Sequence, residues 1–251
     1  MSVALFVPCY VDQLYPDVAI ASLELLERLG VDVVYPEGQT CCGQPMANTG
    51  CQDDTAPIAR RTVALFADYD AIVCPSGSCV SMVRNHYADY FAPDDPAFQH
   101  VSTKTYELCE YLHDVVQVQH LDVHFPHRVS LHQSCHGLRE LRLGQSSESM
   151  TPRENKVRKL LELVEGIEWV EPDRPDDCCG FGGTFAVNEA DVSAEMGRAR
   201  IADHCDKKSE VLASADMSCL MHLQGLIRRE KNPIEVMHVA QILAGRPLGC
   251  A

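Results

Sequence analysis

The triplet Cys-Cys-Gly occurs twice, in CCGQP at residues 41–45 and in CCGFGG at residues 178–183. A lone cysteine stands on either side of each triplet. The first set runs Cys9, Cys41-Cys42, Cys79, and the second runs Cys135, Cys178-Cys179, Cys219, with long and similar spacings in both. Such a repeated one-two-one order points to an internal duplication, and a duplication limits the fold more than any local propensity does. The flanking sequence repeats in step. With Cys79 over Cys219, Asp70–Cys79 lies over Glu210–Cys219, and both read as an apolar strand, a polar turn, then Ser-Cys. Val3–Cys9 matches Arg128–Cys135 in the same way, and Tyr106-Glu107-Leu108 falls over Ile234-Glu235-Val236.

Between the cysteines, strand and helix patterns alternate. Val3–Val7 is a continuous apolar run, as expected of a strand buried on both faces. Val18, Ala21, Leu25 and Leu29 share one helical face and predict a helix over Pro16–Leu29, closed by Gly30. Strands are expected at 31–34 and 71–73, and Val83, Tyr87 and Phe91 predict a helix after Cys79. The second half predicts strands at 128–132, 167–170 and 210–213, with helices near 152–165, 189–204 and 218–230. Alternation of this kind implies an α/β protein with parallel sheets. We expect two pseudo-symmetric lobes, residues 1–120 and 121–251, each a parallel sheet with helices on both faces.

Ligands of open parallel sheets sit beyond the carboxyl ends of the strands. Cys9 and Cys79 follow strands directly, and Cys41-Cys42 lies in a loop after one, so this quartet should converge at one sheet edge. Cys135, Cys178, Cys179 and Cys219 should do the same in the second half. Four converging thiolates suit zinc or an iron–sulfur cluster. The long spacings are unlike the close cysteine pairs of structural zinc knuckles, which favours iron–sulfur, and zinc stays open as the alternative. Gly43 and Gly180 are expected to let the backbone approach the centre with no Cβ in the way.

Composition narrows the function. Thirteen cysteines, odd in number and partly adjacent, argue against a disulfide scaffold. The balance of 36 acidic to 21 basic residues, a formal charge of −15, argues against nucleic-acid binding. No apolar run approaches the ~20 residues of a membrane helix. The amino-terminal segment has neither a basic region nor a small-residue cleavage site, so a cytoplasmic protein is expected. No dinucleotide fingerprint, Ser-His-Asp set or lone catalytic base can be placed, so no substrate site of its own is expected.

The stretches VPCYVDQLYPDVA, TCCGQPMANTG, PSGSC, LHQSCHGLRELRLG, CCGFGGTFAV and ADMSCLMH resemble the cysteine-rich (CCG) domains of the cluster-bearing subunit of heterodisulfide reductase and of the glycolate oxidase iron–sulfur subunit. The likeness spans essentially the whole chain and is strongest to the lactate utilisation protein A family. That resemblance implies an electron-transfer subunit of a system oxidising L-lactate to pyruvate. It also implies one 4Fe-4S type cluster per lobe and lactate utilisation proteins B and C as partners. A thiol–disulfide reductase subunit is the alternative that the same relatives imply. The chain departs from the heterodisulfide reductase pattern, which closes each motif with C-x-x-C. Ser76 and Asp216 stand where the first of those cysteines would be, Cys74 is two residues too early, and Ser214 occupies its place in the other half. A four-cysteine centre follows, with Asp216 either an oxygen ligand or, like Ser76, a helix cap.

His132 and His136 flank Cys135, and two readings stay open for them: tuning of the second centre, for which His136 is the candidate, or plain packing. His120, His124 and His127 read as surface residues of the connection between halves. Cys51, Cys74, Cys109, Cys205 and Cys250 have no counterpart in the repeat and read as small hydrophobes or exposed thiols.

Overall fold

The computed structural model describes residues 2–249; Cys250 lies outside them. Eight strands form two sheets, β1 (Val3–Leu5), β2 (Val33–Val34), β3 (Ala71–Cys74) and β4 (Thr105–Glu107) in one, and β5 (Arg128–Leu131), β6 (Glu168–Trp169), β7 (Val211–Ser214) and β8 (Glu235–His238) in the other. The orders are β2-β1-β3-β4 and β6-β5-β7-β8, and every pairing is parallel. The expected α/β fold with two pseudo-symmetric lobes is the observed one.

The central strands are short and wholly apolar or nearly so because helices cover them. All residues of β1, β3 and β7 are buried. The helix Pro16–Arg28 buries Val18, Ala21, Ser22, Leu25 and Leu26, packing on β2, on the short helix Cys9–Leu14 and on the helix Val239–Leu243 of the second lobe. In each sheet the chain leaves the first strand toward one edge and the third toward the other. The β1/β3 and β5/β7 borders are therefore topological switch points, where a crevice opens beyond the carboxyl ends.

Three expectations change in detail. The helix after Cys79 is not one α-helix: Gly77–Ser81 is α, Met82–His86 is a π turn and Tyr87–Tyr90 is 3₁₀. The wide and tight turns bring Val83 and Tyr87 into the core while Phe91 stacks on Phe98 at 5.0 Å. The helix expected near 152–165 is only Lys156–Leu161, because Asn155 caps it, accepting from the Arg158 N–H at 3.0 Å. The segment 106–108 is in step with the second half in a different register. Cys74 pairs with Glu107 and Ser214 with His238, so Glu107 corresponds to His238 and not to Glu235. The connections before β4 and β8 differ in length, and sequence matching slid across that difference.

The lobes meet at their cysteine edges. Ser76 and Asp216 form an antiparallel bridge, and the Ser78 N–H donates to Asp216 Oδ2 at 2.7 Å. Farther out, the Tyr15 hydroxyl donates to Gln224 Oε1 at 3.1 Å, and Arg28 donates to the Leu243 carbonyl at 2.7 Å.

Candidate metal centre

Each expected cysteine reaches the crevice of its own sheet. Pro8 follows β1 and Cys9 opens the short helix Cys9–Leu14. Cys79 lies in the first turn of Gly77–Ser81, whose amino terminus Ser76 caps by accepting from the Cys79 N–H at 3.3 Å. Between them the triplet loop is fastened to the sheet. Gln39 accepts from the Val7 N–H at 2.9 Å and donates to the Leu5 carbonyl at 2.8 Å. The Tyr87 hydroxyl donates to the Cys42 carbonyl at 2.9 Å. The result brings Cys9 Sγ to 3.6 Å from Cys41 Sγ, and Cys42 Sγ to 3.5 Å from Cys79 Sγ.

The second quartet repeats this. Cys178 makes thiol contacts with Cys135 and Cys179, and Cys179 with Cys219. Backbone donors point at sulfur in both loops: Gly43 N–H to Cys41 at 3.3 Å, Gly180 N–H to Cys178 at 3.4 Å and Phe181 N–H to Cys179 at 3.5 Å. Thiol donors on both sides stabilise a thiolate between them. Hydrogen bonds from Cys42 and Cys9 hold Cys41 down to about 3, and those from Cys135 and Cys179 hold Cys178 down to about 2. Their neighbours are pushed the other way: Cys42 is raised by its hydrogen bonds to Cys41 and Cys79, and Cys179 by those to Cys178 and Cys219. Cys79 is also held well below the ordinary thiol range by hydrogen bonds from Cys42 and Cys74. The first quartet thus starts from two ready thiolates and the second from one, and each releases its remaining protons as a metal replaces them.

All eight cysteines of the two quartets line one cavity of about 140 Å³ at the lobe junction. Tyr10 and Phe181 meet edge to face across it at 6.0 Å, and Gln44, His136 and Asp216 complete its polar wall. Eight sulfurs, with three backbone N–H groups aimed at them, make a donor set for soft, thiophilic metals or an iron–sulfur centre.

With that geometry in view, the comparisons with known proteins are specific. The cysteine-rich domain (CCG) family model matches residues 3–84 and again residues 129–224. Lactate utilization protein A of Exiguobacterium sp. strain AT1b is 40% identical over 248 residues, 96% of each chain. Lactate utilization protein A of Bacillus licheniformis is 38% identical over 98% of this chain and 100% of its own. The chain belongs to the lactate utilization protein A family. Among solved structures, a putative Asp/Glu racemase from Yersinia pestis covers 97% of this chain and 96% of its own at 12% identity and a TM-score of 0.38, too loose to bear on fold or function.

The remaining predicted site residues fall in distinct places in this family member. Ser76 and Asp216 are both helix caps. The Asp216 carboxylate is engaged by the Ser218 N–H at 3.1 Å, the Ser218 hydroxyl at 2.5 Å and, from the other lobe, the Ser78 N–H at 2.7 Å. Gly43 and Gly180 take positive φ of 84° and 88°. The space that a Cβ would need there is filled by the following helix and not by sulfur, with Thr55 Cγ2 at 3.0 Å from the first and Ser193 O at 2.5 Å from the second. The glycines bring helix and loop together, and it is their N–H groups that face the thiols. His136 lines the cavity but pairs with Gln44 of the first lobe, Nε2 to Nε2 at 3.0 Å.

Three residues take places near the site that the sequence left open or did not mark. His132, not His136, stands among the second quartet: one of its nitrogens and the sulfurs of Cys179 and Cys219 all lie within 4.8 Å of one another. Cys74 is wholly buried, with its thiol in contact with Cys79. Arg200 is fully buried behind the second quartet, 3.0 Å from Asp203. A signal for His132 existed, since it stands on the repeat where Phe6 does: the N–H of each donates to the neighbouring strand, Phe6 to Val73 and His132 to Ala213. Cys51 is exposed, Cys109 is buried and Cys205 is half-buried 3.4 Å from Asn232.

Proposed function

We propose that this protein is a cytoplasmic electron carrier of a lactate-utilisation system, with an iron–sulfur centre, of 4Fe-4S type, in each lobe. The lobes are residues 1–120 and 121–251, and the partners are proteins related to lactate utilisation proteins B and C. The observation that carries the reading is the opening of both cysteine quartets into a single cavity. The family name supplies lactate as the source of electrons. Held by thiolates, such a centre accepts and gives up one electron at a time.

The chain's own residues would prepare this. Cys9, Cys41, Cys42 and Cys79 would hold one centre and Cys135, Cys178, Cys179 and Cys219 the other. N–H groups of Gly43, Gly180 and Phe181 offset negative charge on sulfur, which favours the reduced state. Oxidation of lactate to pyruvate removes two electrons, and one centre in each lobe matches that number. Among the described residues no helix is long and apolar enough to cross a membrane.

A second reading has its own observation. Sulfur pairs 3.5 and 3.6 Å apart are close to the ~3.8 Å between two thiolates bonded at ~2.3 Å to one tetrahedral ion, which favours zinc in one lobe. Protein purified and reconstituted under argon separates the two. Iron and sulfide near four per lobe and a reducible EPR signal are expected, with Cys42→Ser and Cys179→Ser each removing about half of both. Tightly held zinc with no iron uptake on reconstitution would overturn the iron reading.

A further inference from the structure

The second quartet has a neighbour that the first lacks. His132 directly follows β5, is 1% exposed, and neither of its ring nitrogens has a hydrogen-bond partner among the described residues. The other buried histidines behave differently. His204 Nδ1 lies 2.6 Å from the Ser130 hydroxyl and its Nε2 accepts from Arg200 at 2.9 Å. His238 Nδ1 accepts from the Ala240 N–H at 3.1 Å. A histidine buried for packing alone finds such partners, because an imidazole taken out of water with none is unfavourable. His132 instead faces sulfur, with Cys179 and Cys219 in reach of one nitrogen.

The repeat sharpens the point. Phe6 holds the same place in the first lobe and packs on Phe66 at 5.2 Å. The change from phenyl to imidazole keeps a flat ring at the end of the strand and adds a lone pair aimed at the site. Nitrogen and thiolate sulfur together are a common donor set for zinc, and on one iron of a two-iron cluster histidines replace cysteines.

We propose that His132 is a ligand of the metal centre in the second lobe, so that this centre is bound through sulfur and one imidazole nitrogen while the first is bound through sulfur alone. This rests on the reading that each quartet holds a metal. The neutral imidazole donates the lone pair of one nitrogen to the metal, and no electron is transferred in forming the bond. His132 thereby makes the two halves of a duplicated protein chemically distinct, and a carrier whose centres differ can pass an electron in one direction.

The test compares wild type with His132→Phe, which installs the residue of the first lobe. Both are made in a Cys42→Ser background that disables the first quartet. With ¹⁵N-histidine as the only labelled residue, reduced iron-loaded protein should show the nitrogen coupling of a directly bound imidazole in pulsed EPR, and His132→Phe should lack it. If the metal is zinc, its X-ray absorption should show nitrogen at about 2.0–2.1 Å beside sulfur at about 2.3 Å, again lost in His132→Phe. Metal release to a chelator should be about tenfold or more faster in that variant, at least the effect of removing a partner of a ligand. His132→Cys, which keeps a donor, should restore retention without the nitrogen signal. Absence of a bound nitrogen in the wild-type second lobe, whichever metal it holds, overturns the inference. So does persistence of the signal in His132→Phe, and a chain that takes up neither metal overturns both this inference and the iron reading. Zinc in place of iron overturns the iron reading alone, and the nitrogen then decides this one.

Discussion

The two lobes share a backbone plan and support their cysteines by opposite means. Behind the first quartet, Phe6 packs on Phe66 and Thr62 is buried beside them. Counting along the equivalent helices from Thr55 and Ser193, which both lie under a triplet glycine, Arg200 takes the place of Thr62 and His204 that of Phe66. With His132 for Phe6, three core positions have become ionisable. Arg200 and His204 are tolerated because a buried polar group is unfavourable only when unpaired. Ser209 meets Ser130 at 2.7 Å, Ser130 meets His204 at 2.6 Å, and Arg200 donates to His204 at 2.9 Å and pairs with Asp203 at 3.0 Å. Asp203 accepts the N–H groups of Asp173 and Arg174 at 2.9 and 3.1 Å, in the loop that leads to Cys178-Cys179. The first lobe positions its triplet with Gln39 and Tyr87; the second does so with a charge network. Duplication preserved the scaffold and freed the support to diverge.

The largest expected contrast is in stability. Arg200→Met would leave Asp203 charged and buried without its partner and should destabilise the protein by about 3–5 kcal/mol. Thr62→Val, at the equivalent buried place, should stay within about 1 kcal/mol. Urea unfolding of the two variants measures this directly, and equal effects would show that the network is not what secures the second lobe.

The triplet glycines should differ by less. At Gly180 a Cβ meets the Ser193 carbonyl oxygen at 2.5 Å and Met196 Cβ at 2.8 Å, in a conformation already unfavourable for alanine. Gly180→Ala should cost about 2–3 kcal/mol, from left-handed strain and helix displacement together. At Gly43 the nearest atom is the Thr55 methyl at 3.0 Å, which can move, so Gly43→Ala should cost about 1 kcal/mol. Thermal melts of the two variants, with metal retention per lobe, would reveal whether the order is reversed.

The smallest effect per step, and the one most particular to the comparison, is in pH. Burial, with the Arg200 charge adding to it, lowers His204 from its ordinary 6.5 to about 2. The unfolded chain therefore binds the extra proton first, and stability contributed by this group falls as pH drops from 6.5 toward 2. Burial raises Glu107 in the first lobe from 4.5 to about 8, despite N–H donors from Glu110 and Cys109. Here the folded state holds the proton, so stability falls as pH rises from 4.5 toward 8. Each slope is at most about 1.4 kcal/mol per pH unit. Urea midpoints of metal-free protein across pH 4–8 should flatten at the acid end in His204→Phe and at the alkaline end in Glu107→Gln. A His204→Phe variant with unchanged acid sensitivity would remove that residue from the account.

Periodicity made much of the fold legible. The apolar runs at Val3, Ala71, Val129 and Val211 could only be covered strands, and the face of Pro16–Arg28 could only be a packed helix. The π and 3₁₀ turns after Ser81 were not legible, because i, i+4 spacing alone does not separate an α-helix from its wider relative. The register of β4 against β8 was lost because hydrogen bonding to β3 and β7, and not similarity of side chains, fixes it. At the site, Ser76 and Asp216 were readable as caps from their place before Gly77–Ser81 and Met217–Glu230. Their meeting across the lobes was not, since Asp216 is remote in sequence from the Ser78 N–H that it accepts.

By itself the sequence determined that the chain is duplicated, that each copy is a parallel sheet, and that four thiols per copy end at strand termini or in the loops beside them. Those features follow from composition, period and spacing, which are properties of the chain's order. Tertiary structure alone decided that Gln44 of one lobe meets His136 of the other, and that His132 rather than His136 faces the second set of sulfurs. The reason is physical: a side chain's partners at a sheet edge depend on twist, register and the docking of one lobe on another. These are settled by burial and hydrogen bonding over the whole molecule, and a residue's neighbours in sequence carry no record of them.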